Sequence, residues 1–142
     1  MSAAENRRIA RRFFYDVFNK GDLGAVDQIF ARDYRGYSSA NLNRIIKGPA
    51  GIKRFVTMYR TAFPDIRFTF EDIISRGDRI VVRWSTEGTH RGELFGFPPT
   101  GKRMKVTGIG IAQIVNGKIA ASHSQVDMLH LAQQLGIAPK IG

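Results

Sequence analysis

The sequence of 142 residues contains no cysteine, which excludes disulfide bonds, thiolate nucleophiles and cysteine-based zinc sites. No stretch approaches the roughly 20 apolar residues that a membrane-spanning helix requires. The first residues, MSAAENRRIARRFF, contain no apolar run typical of a signal peptide. We therefore expect a cytoplasmic protein that makes no contact with a membrane.

Acidic residues are scarce: the chain has 12 Asp and Glu residues and 22 Lys and Arg residues, for a net charge of +10. Such an excess can indicate nucleic-acid binding. The basic residues are scattered, however, and their one local cluster (Arg7, Arg8, Arg11 and Arg12) lies on the polar side of a predicted helix. No aromatic-interleaved basic stretch or RNA-recognition motif accompanies it. The pattern favours a solvated basic surface over nucleic-acid binding.

The pattern of histidines and glycines argues against a metal or phosphate site. His90, His123 and His130 are too far apart in the sequence to form an HxH or HExxH motif. Gly108 and Gly110 fall inside a predicted strand, whereas a phosphate-binding loop precedes a helix. We expect neither a metal nor a cofactor.

Apolar residues recur at helical spacing in the first half of the chain. Residues 4–19 form a predicted amphipathic helix, in which Phe14 belongs to a wide apolar stripe. Asp22 is a predicted N-cap of a shorter second helix, and a third helix runs from about Pro49 until Pro64 stops it. The segment between the second and third helices, DYRGYSSANLNRIIKGP, is polar and predicts a short strand or a loop.

After Asp65 the apolar period changes from 3.6 to 2, which predicts strands. Four strands are expected, the last two joined by a hairpin at Asn116-Gly117. A row of small residues in the third strand, Gly108, Gly110 and Ala112, marks a bulge, a bend or a close approach. Three helices followed by four strands and a short C-terminal helix predict one α+β domain over residues 1–142, with the helices packed on a strongly curved antiparallel sheet. Such a cone has a lined interior suited to a small molecule.

The stretch Gly117 to Gly136, GKIAASHSQVDMLHLAQQLG, holds the most informative polar residues. On a regular strand, alternate side chains share a face, so we expect Ile119, Ala121, His123, Gln125 and Asp127 to point the same way. A buried carboxylate has a raised pKa and suits general-base catalysis. The alternative is that Asp127 caps the helix that starts at Met128, and spacing alone slightly favours the cap.

Other candidate ligand contacts each have a structural alternative. Tyr37 is a candidate donor to an enolate oxygen or an ordinary turn tyrosine. Arg83 either anchors an anionic group or faces solvent, whereas Trp84 is expected in the core. His90 lines the pocket mouth or, as we favour, hydrogen-bonds within its loop. The remaining candidates for contact with a ligand are Gln113, Gln125 and Phe14.

Three segments together resemble the SnoaL-like polyketide cyclase family, whose members adopt the cone of the nuclear-transport-factor-2-like superfamily. The segments are AFPD (62–65), GTHRGELFGFPPTGK (88–102) and NGKI…D…LAQQLG (116–136). In that family an aspartate on the last strand removes a proton between two carbonyls, and the enolate closes a ring by aldol attack. The resemblance implies that Asp127 is this cofactor-independent base.

The chain departs from the family at two positions on the last strand. Many members carry a glutamate and a tryptophan where this chain has Ala121 and His123. His123 is thereby a candidate second titrating group. The resemblance also implies a hydrophobic small-molecule substrate and a homodimer formed through the open face of the sheet.

Two further functions remain open on the same scaffold. One is a non-catalytic carrier or interaction module, which the missing glutamate and tryptophan favour. The other is an epoxide hydrolase-like activity, for which Asp72, Arg83 and Asp127 would supply an Asp-Arg-Asp arrangement. That second alternative requires these charged groups to be buried.

Overall fold

A computed structural model describes residues 2–139, and its helices form near where the sequence predicts them. The helical elements are α1 Ala3–Arg11, a π-helix Arg12–Asn19, a 3-10 turn Leu23–Ala25, α2 Val26–Ile29, α3 Gly48–Ala62 and α4 Met128–Leu135. The predicted cap Asp22 accepts a hydrogen bond from the Ala25 N–H at 3.3 Å. Proline in the first turn starts α3, and the helix ends at Phe63. The π-helical winding of the first long helix is the one feature that helical spacing did not predict.

Six strands form one curled sheet in the order β2-β1-β6-β5-β4-β3. Their bounds are β1 Phe30–Ser38, β2 Ile45–Lys47, β3 Arg67–Arg76, β4 Arg79–Thr89, β5 Arg103–Val115 and β6 Lys118–Val126. The four predicted strands are β3 to β6, and the α+β class is confirmed. The expected all-antiparallel sheet is corrected by one parallel pair, β1 with β6.

Residues 33–38 of the nine-residue strand β1 lie where the sequence predicted a short strand or a loop. Its inward positions include Tyr34, Gly36 and Ser38, which are buried, and charged residues occupy much of the outward side. Small and polar inward side chains give no apolar alternation, so period-2 analysis misses the strand. The strand pairs through its backbone with β6 on one side and β2 on the other.

A bulge in β6 changes which side chains face the interior. Gln113 of β5 pairs with Ala121, but the next residue of β5, Ile114, pairs with Ile119, so Ala120 is the extra residue. Ile119 is buried, and beyond the bulge Ser122 and Ser124 take the inward positions. The expectation that Ile119, His123 and Asp127 share one face is therefore wrong. A one-residue insertion reverses every later side chain.

Aromatic rings fill the space between the helices and the inner face of the sheet. Phe18 of the π-helix lies 4.6 Å from Phe68 of β3, measured between ring centroids. Trp84 of β4 is buried, as predicted, and packs edge-on against Phe68 at 5.0 Å. Such pairs each contribute about 0.5–1.5 kcal/mol beyond the area they bury. The rings thus fix the distance between helix and sheet.

The row of small residues in β5 allows the Trp84 side chain to approach the strand closely, which is one of the three structural explanations predicted for this row. The Trp84 indole lies across Gly108, and a Cβ atom on Gly108 would come within 2.8 Å of its Cε2 atom. Any larger residue at this position must displace the indole. Because Trp84 also borders the interior cavity, this contact sets the shape of the cavity wall.

We expect Gly108→Ala to lower the free energy of unfolding by about 1–3 kcal/mol, because overpacking forces the indole from its position. Urea unfolding monitored by far-UV circular dichroism measures the change. The control is Thr107→Ala on the opposite, exposed side of the same strand, with an expected loss below about 1 kcal/mol. Equal stability of wild type and Gly108→Ala would show that Trp84 moves without cost.

Candidate functional site

The cone encloses a cavity of about 140 Å³ between the π-helix, α3 and the inner face of the sheet. Its walls are almost entirely apolar and include Met104 and the aromatic rings of Phe13, Phe14, Phe18, Phe68 and Trp84. Concave apolar sites with a few polar groups are typical of small-molecule binding. The few polar groups therefore decide what the cavity can recognise.

Two of the hydroxyl groups that line the cavity are committed to the backbone. Tyr59 Oη donates to the Ala40 carbonyl at 2.5 Å, and Thr86 Oγ1 donates to the Arg67 carbonyl at 3.1 Å. Each of these side chains has one hydroxyl proton, and the hydrogen bond to the backbone carbonyl already uses it. Tyr59 and Thr86 therefore serve the fold and have no donor left for a ligand.

Tyr34 and Ser122 form a different kind of pair. The two hydroxyl oxygens lie 2.6 Å apart, which joins β1 to β6 inside the cavity. A pair of hydroxyls has two protons, and their mutual hydrogen bond uses one. The second proton remains available to a ligand. We call these two side chains the hydroxyl pair.

The backbone around the hydroxyl pair leaves room for it. Gly36 lies between Tyr34 and Ser122, and a Cβ atom there would overlap the tyrosine hydroxyl and lie 2.8 Å from Ser122 Oγ. Burial raises the pKa of Tyr34, and the hydrogen bond with Ser122 offsets only part of that rise. The phenol therefore keeps its proton at neutral pH, and either hydroxyl of the pair can donate to the other.

Tyr37, the donor predicted from the sequence, lies three residues after Tyr34. Phe14, Tyr37 and His123 all border the cavity, but the last two are exposed and alternate with inward-facing residues of their strands. Their rings lie 6.0 Å apart, and Gln125 Nε2 donates to His123 Nε2 at 3.1 Å. The structure thus places the Tyr37 and His123 side chains on the outer side of the sheet, together with Gln125.

Asp127 follows directly after β6 and is exposed. Its Oδ1 atom accepts a hydrogen bond from the His130 N–H at 3.1 Å, which confirms the predicted cap of α4. The carboxylate does not line the cavity. It borders a shallow outer groove with Arg83 and Gln125.

Two other candidates have structural partners. His90 is fully buried, and its Nδ1 atom accepts a hydrogen bond from the Thr100 N–H at 3.2 Å, which confirms the favoured role within the loop. Gln113 Nε2 donates to Asp78 Oδ2 at 2.9 Å, near the turn between β3 and β4. Neither residue lines the cavity.

The exposure of its three charged residues argues against the epoxide hydrolase-like alternative. Asp72 pairs in register with Arg83, but both residues and Asp127 are exposed. Charged groups in contact with bulk water lack the desolvation that this alternative requires. We therefore set it aside.

Within residues 2–139, no three His, Asp or Glu side chains come together in a way that could hold a metal ion. In the same range, no helix has the length and apolarity needed to cross a bilayer.

A family model described as SnoaL-like polyketide cyclase matches residues 8–135. The chain belongs to this family. It is 27% identical over 126 residues to the aklanonic acid methyl ester cyclase of Streptomyces peucetius, covering 88% of this chain and 87% of the relative. It is 29% identical over 121 residues to the nogalonic acid methyl ester cyclase of Streptomyces nogalater, covering 84% and 90%.

The solved structure of TsrD from Streptomyces laurentii superposes on this SnoaL-like chain with a TM-score of 0.87. The two share 26% identity, and the superposition covers 97% of this chain and 99% of the other. The resemblance noted in the sequence is thus confirmed at the level of the family and of the fold.

We expect Asp127→Ala to lower the free energy of unfolding by about 1 kcal/mol, because the His130 N–H loses its partner. Asp127→Asn should retain the wild-type value within about 0.5 kcal/mol, since asparagine caps helices as well as aspartate. Urea unfolding measures both. Equal losses in the two variants would show that the negative charge, and not the capping hydrogen bond, stabilises the protein.

Proposed function

We propose that this SnoaL-like protein binds a hydrophobic, polyketide-like carbonyl compound inside the cone and promotes its aldol-type cyclisation or isomerisation without a cofactor. The observation that carries the proposal is the hydroxyl pair, which presents a free donor in a largely apolar cavity that Ser38 and Ser124 also line. The two similar relatives are named as cyclases of methyl esters. A carbonyl oxygen is the acceptor that such a donor fits.

A hydrogen bond from the hydroxyl pair would strengthen as the substrate becomes an enolate. The carbonyl oxygen gains negative charge in that step, and a donor fixed at that oxygen stabilises the charge. The apolar wall excludes water, so the hydrogen bond acts in a low dielectric. A proton flanked by two carbonyls is already acidic, which leaves orientation of the folded substrate as the main remaining task.

Asp127 remains the base that the family resemblance implies, although its carboxylate caps α4 in this structure. Asp127→Asn separates the two roles, because it removes a base and keeps a cap. A non-catalytic carrier is the second candidate function. It is favoured by the position of Asp127 outside the cavity and by the exposure of His123 at its border.

We expect the Tyr34→Phe, Ser122→Ala double variant to lower kcat/KM by about 100-fold or more, because it removes the donor and loss of an oxyanion donor typically costs about 10²–10³-fold. Each single variant leaves one hydroxyl with a free proton, so we expect a smaller loss of about tenfold from the displaced donor. Aryl 1,3-dicarbonyl compounds able to close a ring by internal aldol attack serve as substrates, followed by chromatography. Gln113→Ala, outside the cavity, is the control with unchanged turnover.

The outcomes separate the candidates. Binding of these compounds without turnover by the wild type would favour the carrier. Turnover that disappears in Asp127→Asn, with the fold intact, would place the base at Asp127. Full activity in the Tyr34 and Ser122 double variant would refute the role of the hydroxyl pair.

We also propose that the protein forms a homodimer through the outer face of the sheet, as the family resemblance implies. Ile74, Val81 and Ile111 are register neighbours across β3, β4 and β5, and His123 and Tyr37 continue the row onto β6 and β1. Ile74 is 59% exposed and Ile111 46%. A contiguous exposed apolar row of this kind is typical of an interaction surface.

We expect Ile111→Lys to convert a dimer into a monomer, because the buried ammonium would lack a partner. Size-exclusion chromatography with light scattering gives the mass. Thr57→Lys, exposed on α3, is the control that keeps the dimer. A wild-type mass of 15.9 kDa in dilute solution would refute the dimer.

A further inference from the structure

Two serines form a second polar site in the cavity, separate from the hydroxyl pair. Ser38 of β1 and Ser124 of β6 are register partners, and both line the cavity. The preceding inward-facing register pair on the same two strands is Gly36 with Ser122, and Ser122 belongs to the hydroxyl pair. We call Ser38 and Ser124 the serine pair. The two polar sites therefore follow each other along the seam between β1 and β6.

Ser38 is deeply buried and keeps its hydroxyl proton for another partner. Its side chain is 6% exposed, and its Oγ atom accepts a hydrogen bond from the Ala40 N–H at 3.1 Å. A hydroxyl has one proton and two lone pairs, so this hydrogen bond uses a lone pair and leaves the proton. A buried donor without an acceptor is costly. A ligand oxygen in the cavity would supply the acceptor.

Ser124 has space around its side chain because its neighbour on β5 is a glycine. Gly110 is the register partner of Ser124 on that strand. A Cβ atom on Gly110 would lie 3.2 Å from the Cβ atom of Ser124, which is closer than ordinary van der Waals contact. Gly36 leaves room for the hydroxyl pair in the same way. Each of the two polar sites thus lies beside a position without a side chain.

The strand geometry sets the distance between the two sites. Ser122 and Ser124 are two residues apart on β6, so at ~3.3 Å per residue their side chains are separated by about 7 Å. Within the described residues, no Asp, Glu, Lys or Arg lines the cavity. A charged ligand group would lose its hydration there without gaining an ion pair. The partners of both sites are therefore neutral oxygens.

We propose that the serine pair is a second anchor for the ligand, which takes a neutral carbonyl, ether or hydroxyl oxygen about 7 Å from the carbonyl oxygen at the hydroxyl pair. This inference rests on the proposed function, because it takes the cavity as the ligand site. It adds the spacing of two ligand oxygens and the residues that recognise it. Two fixed points orient the ligand along the seam, and they set no limit on its number of rings.

The test uses three probes with one bicyclic skeleton and one carbonyl group: 1-tetralone, 6-methoxy-1-tetralone and 8-methoxy-1-tetralone. The two methoxy compounds are isomers, so they bury nearly the same apolar area. The 6-methoxy oxygen lies across the aromatic ring from the carbonyl, near the spacing of the two sites, whereas the 8-methoxy oxygen lies beside the carbonyl. We expect the wild type to bind the 6-isomer about fivefold more tightly, the gain typical of one net hydrogen bond. Equilibrium dialysis with ultraviolet detection measures each Kd.

The decisive variant is the Ser38→Ala, Ser124→Ala double variant, which should lose the preference for the 6-isomer and bind 1-tetralone within about twofold of the wild type. Ser75→Ala is the matched control, since Ser75 is also half-buried, has an unpartnered hydroxyl and lies outside the cavity. It should keep the wild-type preference. Ser124→Ala alone, which retains the hydrogen bond between Ser38 and Ala40, replaces the double variant if a thermal melt shows that the latter is unfolded, and should reduce the preference about twofold.

Equal wild-type affinity for the two isomers would overturn the second anchor while leaving the proposed ligand site intact. A preference that persists in the serine variants would overturn its assignment to the serine pair. If none of the three compounds binds, or if the Tyr34→Phe, Ser122→Ala double variant binds 1-tetralone as tightly as the wild type does, the proposed ligand site fails, and the second anchor fails with it.

Discussion

Aromatic rings packed between the π-helix and the inner face of the sheet stabilise both the core and the cavity wall. Phe14 and Phe18 contact rings of β3 and β4, and these contacts keep the helix at a fixed distance from the sheet. The same rings form the wall of the cavity. Core and candidate site are therefore one cluster, in which substitutions that change a binding property also change stability.

Hydroxyl groups of the interior differ in whether their proton is already used in a hydrogen bond within the protein. Tyr59 and Thr86 each donate their single hydroxyl proton to a backbone carbonyl. These hydrogen bonds satisfy buried polar groups and leave no donor for a ligand. Tyr34 and Ser122 bond to each other and retain one proton. In an apolar cavity, that proton is a strong determinant of which ligand atom binds where, because an unpaired buried donor is costly.

The bulge at Ala120 decides which chemistry reaches the cavity. Without it, continued alternation from Ile119 would place His123 and Asp127 inside. With it, Ser122 and Ser124 face inward, and His123 and Asp127 are exposed. The site consequently offers hydroxyl groups to a ligand, and the Asp127 carboxylate borders the outer groove.

Quoted motifs predicted membership of the SnoaL-like family. The α+β class, the third helix, the four strands after Asp65 and the Asp127 cap, one of two roles expected for that residue, were also predicted from the sequence. These follow from local patterns: apolar periodicity, capping residues and turn signals act over a few residues. Local patterns did not predict strand β1, because its inward side chains are small or polar. They did not predict its parallel pairing with β6 either.

The composition of the site follows from non-local contacts. Tyr34 and Ser122 are 88 residues apart in the chain and carry no sequence signal of their own. Their meeting depends on the pairing of β1 with β6, on the extra residue at Ala120 and on the space above Gly36. Non-local strand register places them, and no local pattern encodes it, since a shift of one residue reverses which face each side chain occupies.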